Sequence, residues 1–126
     1  MEKGISNWLR FAEADMTSAE ALHSAGQQLY ALFHLQQAVE KTLKALLLKQ
    51  TREEPARIHS LRKLAERCGL ALTLDQALLL ENLSEYYIES RYPGDWQEES
   101  SEVMAKEVAR LVPASKDFIQ WLRSQI

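Results

Sequence analysis

Three imidazoles, one thiol and a set of carboxylates are the groups in this sequence that could move protons or attack an electrophile. The histidines are His23, His34 and His59. No two of them stand in a His-x-x-x-His pair, and Glu20 with His23 is a lone Glu-x-x-His, whereas bundle metal sites draw such motifs from facing helices. Cys68 has no second cysteine to pair with as a thiolate ligand. No metal site is expected. Cys68 occupies an apolar helix position, where a thiol serves as a small buried hydrophobe and not as a nucleophile. The four glycines, Gly4, Gly26, Gly69 and Gly94, are scattered and form no phosphate-cradling loop. No cofactor is expected either.

Two polar clusters carry more information. The first is Gln36, Gln37, Glu40, Lys41 and Lys44. Gln36, Glu40 and Lys44 follow one another at i,i+4 steps, and Gln37 stands over Lys41. On a solvated face the Glu-to-Lys pair would contribute roughly 0.2–0.5 kcal/mol. The same segment is apolar over most of its surface, so these groups can instead meet polar partners inside a bundle, Asp15 among them. Structural bracing is the simpler assignment. The second cluster runs from Tyr86 to Trp96 and holds Arg91, Tyr92 and Asp95. A cation at Arg91 is favoured by the C-terminal end of a helix dipole. Arginine also clamps phosphate, and aromatic rings stack on bases. Exposed aromatics equally mark a protein interface.

The apolar periodicity predicts the elements that would position these groups. Trp8, Leu9, Ala12, Met16, Ala19 and Leu22 lie on one helical face, with Gly26 as a C-terminal stop. A second helix spans about Gln28 to Gln50, and its breadth of apolar surface places it centrally. Residues 51–57 form a polar connector containing Pro55. A short third helix turns Leu61, Leu64, Ala65 and Cys68 inward and is capped by Gly69, with Leu70 folding back. Thr73 and Gln76 have the spacing of a capping box. They open a fourth helix, whose inner face is Leu79, Leu83 and Tyr86. Pro93 disfavours helical geometry at Tyr92, so this helix must end near Arg91. Pro93 and Gly94 suit a type II turn. From about Ser100, Met104, Val108, Leu111, Ser115, Phe118 and Leu122 keep one phase through Pro113, which predicts a single long helix kinked there. The fold class is all-α. It is an antiparallel four-helix up-and-down bundle with an additional short helix, in one domain over residues 1–126.

Composition narrows the function. At 126 residues the chain can bury a core without staples. Its net charge of −3 argues against a broad nucleic-acid footprint and leaves room for a local pocket. A lone cysteine suits a reducing compartment. The residues from Met1 to Gly4 include no signal-peptide apolar region, and the apolar run Ala45 to Leu48 is far too short to span a bilayer. A cytoplasmic protein without membrane contact is expected.

Taken in order, these segments resemble the HEPN (higher eukaryotes and prokaryotes nucleotide-binding) domain. Trp8 and Leu9 with Ala12, Asp15 and Ala19 are similar to that family's opening helix. Phe33, then Gln36 through Lys41, then Leu43 through Leu46 resemble its most recognisable stretch. His59, Ser60 and Leu61 resemble its His-x-Leu at the third helix, and Tyr86, Tyr87 and Ser90 through Pro93 its fourth-helix end. The resemblance implies a helical bundle that forms homodimers. It also implies partnership with a minimal nucleotidyltransferase in toxin–antitoxin modules, and in many members metal-independent ribonuclease activity. There an Arg, a short spacer and a His act at the dimer cleft, the His as acid–base and the Arg against phosphate charge.

Arg91 matches the family's arginine, but no histidine follows it in the chain. Trp96, Gln97 and Glu98 stand where it would fall. Neither Trp nor Gln transfers protons near neutrality, and an exposed Glu is a poor acid there. The expectation is therefore a non-catalytic or weakly catalytic protein. It would bind a nucleotide, RNA or a partner protein at a cleft of Arg91, Tyr92 and Asp95, with Lys41 and Lys44 contributing. Asp15 and Glu40 would brace the first two helices, with His59 as a further structural polar residue. Two alternatives stand beside it. One is a ribonuclease in which Arg91 works with Tyr92, Glu98 or His59 of a facing subunit. The other is a purely structural interaction module.

Overall fold

The computed structural model describes residues 2–55, 57–91 and 101–126. Five helices follow one another: α1 (Glu2–Ser24), α2 (Gln28–Thr51), α3 (Leu61–Arg67), α4 (Leu74–Arg91) and α5 (Ser101–Arg123). No strand occurs among the described residues. The four long helices make the predicted bundle and α3 is the added short one. The Pro93–Gly94 turn lies outside the described residues.

Local chemistry sets the helix ends. α1 stops at Gly26, whose φ of +79° only glycine adopts without strain. The Gln27 amide then donates back to the Leu22 carbonyl at 2.8 Å. α3 closes in the same way. Gly69 has φ +69°, and the Leu70 amide reaches the Ala65 carbonyl at 3.1 Å, which brings Leu70 onto the core. The Ser60 hydroxyl accepts from the Lys63 amide to start α3. Thr73 and Gln76 form the reciprocal capping box of α4. The Gln76 amide donates to Thr73 Oγ1 at 3.1 Å, and the Thr73 amide donates to Gln76 Oε1 at 3.0 Å. α2 runs one residue beyond the predicted end and is closed by Arg52 in the left-handed region (φ 62°), its amide bonded to the Leu48 carbonyl.

α2 is the centre of the bundle and packs against each of the other four helices. Leu32, Leu35, Val39, Leu43 and Leu46 are sealed from solvent on several of its sides, as its broad apolar surface requires. They meet Leu61 and Leu64 of α3, Leu83 of α4, and Val108, Leu111 and Leu122 of α5. Burying each leucine contributes roughly 2–3 kcal/mol relative to exposure. α5 is continuous through Pro113, and all six residues of its predicted inner face are buried. Keeping that face in phase outweighs the hydrogen bond that Pro113 denies the Ala109 carbonyl. A smaller cluster of Ile5, Ala45 and Leu48, with Trp8 against it, fixes the start of α1 on α2.

Candidate functional site

The polar residues of α2 separate into two networks because neighbouring helical positions point about 100° apart. His34 and Lys41 are seven residues apart, two turns along one stripe, and that stripe faces α1. Between them lies the Asp15 carboxylate, 7% exposed. Its Oδ2 accepts from Lys41 Nζ at 2.6 Å and its Oδ1 contacts His34 Nδ1 at 2.8 Å. An ionised carboxylate can only accept, so the proton of a neutral His34 ring sits on Nδ1 and the Nε2 lone pair is free.

Gln36, Glu40 and Lys44 form the second stripe. Glu40 is almost fully buried, and so is Lys44, at 6% exposure. Lys44 Nζ donates to Glu40 Oε2 at 3.2 Å, and His59 Nδ1 lies 3.4 Å from the same oxygen. Gln36 Nε2 donates to Glu40 Oε1 at 3.2 Å and to the His59 carbonyl at 3.4 Å, while Gln37 Nε2 donates to Gln36 Oε1. Asp15 thus ties α1 to α2. Glu40 does not reach α1 directly. It holds the connector ahead of α3, and its link to α1 runs through Lys44, whose ammonium sits 5.4 Å from the Trp8 ring centroid.

Aromatic rings line the same side of α1 and α2. Phe11 is 55% exposed and has Lys41 Nζ at 5.9 Å and the Arg10 guanidinium at 6.0 Å from its centroid. With Gly4, Asn7, Trp8 and Glu54 it lines a groove of about 250 Å³. Phe33 meets His34 edge-on at 5.3 Å and stacks on Tyr87 of α4 at 5.7 Å with planes 13° apart. Tyr87 is one turn before Arg91, which closes α4.

Of the residues expected to form a site, the structure joins Asp15 to Lys41, and Glu40 to both Lys44 and His59. Lys41 and Lys44 are tied up in these internal ion pairs. The Arg91 side chain, Tyr92 and Asp95 lie outside the described residues. His34, Trp8, Phe11 and Tyr87 join the neighbourhood without having been singled out as site residues. Cys68 is buried, its thiol contacts the Leu43 carbonyl at 3.6 Å, and burial pushes its pKa up to about 11. It stays a thiol near neutrality. No group of three metal-ligating side chains converges among the described residues, and none of the described helices is long and apolar enough to cross a membrane.

Comparison with known proteins agrees with this architecture. No curated protein matches the chain. Two crystal structures superpose on nearly all of it. TT1696 from Thermus thermophilus does so with a TM-score of 0.78 at 24% identity, covering 97% of this chain and 98% of that one. ST0689, described as an archaeal HEPN homologue, does so with a TM-score of 0.74 at 27% identity, covering 96% of each. The model of the HEPN domain matches residues 5–125. The chain belongs to the HEPN domain family.

Proposed function

We propose that this chain is the non-catalytic member of a two-protein module. Paired with a minimal nucleotidyltransferase of toxin–antitoxin type, it binds a nucleotide or RNA at a homodimer cleft in which Arg91 contacts phosphate. The observation that carries this reading is the absence of a histidine after Arg91, where the family's ribonucleases place their acid–base group. Family membership supports the partnership. The internal pairing of Lys41 and Lys44 with Asp15 and Glu40 leaves the phosphate role to Arg91.

The test combines co-purification with a minimal nucleotidyltransferase and nucleotide or RNA binding by wild type and Arg91→Ala. A stable complex, with binding weakened about tenfold or more in the variant at unchanged thermal stability, supports the reading. A monomer at micromolar concentration removes the dimer cleft.

One observation favours a second reading. Two imidazoles, His34 and His59, are each held by a buried carboxylate, the arrangement that prepares histidine for proton transfer. RNA cleavage in chelator by wild type, lost in Arg91→Ala, would make the protein a metal-independent ribonuclease instead.

A further inference from the structure

We infer that His34 is a ligand-contacting residue that reads a ribose 2′-hydroxyl, and that Asp15 is the positioning residue that sets its tautomer. The inference rests on the nucleic-acid reading above and adds a discrimination between RNA and DNA at the same end of the bundle.

The first support is the imidazole's geometry. Asp15 is buried and holds His34 Nδ1 at 2.8 Å while its other oxygen is occupied by Lys41 at 2.6 Å. In its neutral form the ring therefore presents Nε2 as a hydrogen-bond acceptor. Nε2 has no hydrogen bond to any described residue, and the side chain is 30% exposed. Ser115 Oγ is the buried side-chain polar atom left without a partner among the described residues, so Nε2 is open to solvent instead of sealed. An outward lone pair of fixed direction is complementary to a ligand O–H, and the 2′-hydroxyl is the donor that separates ribose from deoxyribose.

The second support is the surroundings. Phe33 packs edge-on against His34 and is itself stacked on Tyr87, so the imidazole borders a pair of aromatic rings through Phe33. Phe11, exposed and with the Arg10 guanidinium 6.0 Å from its centroid, lies on the other side of Asp15. Rings interleaved with cations are the surface a single strand uses, bases over rings and phosphates toward charge.

The experiment measures binding, in chelator, of short oligoadenylates in ribo, deoxyribo and 2′-O-methyl form. The methyl ether keeps the oxygen but removes the donor. Wild type should bind the ribo form about tenfold more tightly than either other form, the worth of one well-placed hydrogen bond. In His34→Ala the ribo affinity should fall to the deoxyribo value with the deoxyribo affinity unchanged. His34→Asn keeps a donor toward Asp15 and lacks Nε2, so it should lose the preference while retaining the wild-type melting temperature. Asp15→Asn should lose most of the preference, since its amide no longer dictates the tautomer. Arg91→Ala should weaken all three forms alike. Equal wild-type affinities, or a preference that survives in His34→Asn, would overturn this inference and leave the binding reading standing. Failure of every oligonucleotide to bind would overturn both.

Discussion

The Asp15 carboxylate of α1 and the Lys41 ammonium of α2 meet at 2.6 Å across the two helices, with His34 on the carboxylate's other oxygen. This contact sets α1 against α2 in a way the apolar stripe alone does not, since leucine and alanine faces tolerate sliding more readily than a directed ion pair.

Asp15→Ala should destabilise the fold by about 2–3 kcal/mol. Removing one member of a buried pair costs about 3–5 kcal/mol, and the partial exposure of Lys41 lets water recover part of that. Urea denaturation measures it. A loss below about 1 kcal/mol would mean that the pair adds little to stability and that Asp15 is retained for its hold on His34.

Glu40 and Lys44 should behave as a coupled unit. Glu40→Ala leaves the Lys44 ammonium buried without its carboxylate, and about 3 kcal/mol should be lost. Replacing both with methionine removes both charges at similar volume and should come within about 1 kcal/mol of wild type, because Gln36 can still donate to the His59 carbonyl. A double variant as unstable as the sum of the single ones would refute the coupling.

Particular residues show how much was legible in the sequence. The three helix boundaries read from a local signal, at Gly26, Gly69 and Thr73, are set by contacts within a few residues, and these fall where their chemistry points. The inner face of α5 was legible through Pro113 because one phase of apolar residues runs across it. Asp15 with Lys41 was in reach as a brace. His34 was not, because its partner Asp15 is 19 residues away across a helix turn and no spacing rule links them. Glu40 and Lys41 are adjacent in sequence yet serve different networks, which periodicity separates only once the direction of each neighbouring helix is known. The exposed Phe11 resembles a core residue in sequence, since a helical stripe does not mark its own edge.

Cys68 should be inert in the folded protein. With its pKa raised to about 11 by burial, the thiolate fraction at pH 8 is about 100-fold below that of a thiol at the ordinary value of 9.0. Alkylation by iodoacetamide should be slower by at least that factor than in the urea-unfolded chain. The linkage has a definite sign. The folded state holds its proton more tightly, so this contribution to stability is complete below pH 9 and is lost as pH rises from 9 through 11. Alkylation of native protein at the unfolded rate would show that the α3 end opens readily.

Ser115→Ala should make the protein more stable by about 1–2 kcal/mol. Ser115 is completely buried on the inner face of α5, between Leu111 and Phe118 in the apolar phase, and its hydroxyl has no hydrogen-bond partner among the described residues. An unsatisfied buried hydroxyl costs about 1–3 kcal/mol, and alanine is also the better helix former by roughly 0.5 kcal/mol. Removing the oxygen leaves a small void that returns part of the gain. Ser115→Val should be destabilising in the same assay, because a second branch must enter a packed core. Paired urea titrations of the two variants separate the effects. A loss of stability in Ser115→Ala would mean that the hydroxyl has a partner in solution, such as a buried water beneath the Pro113 turn.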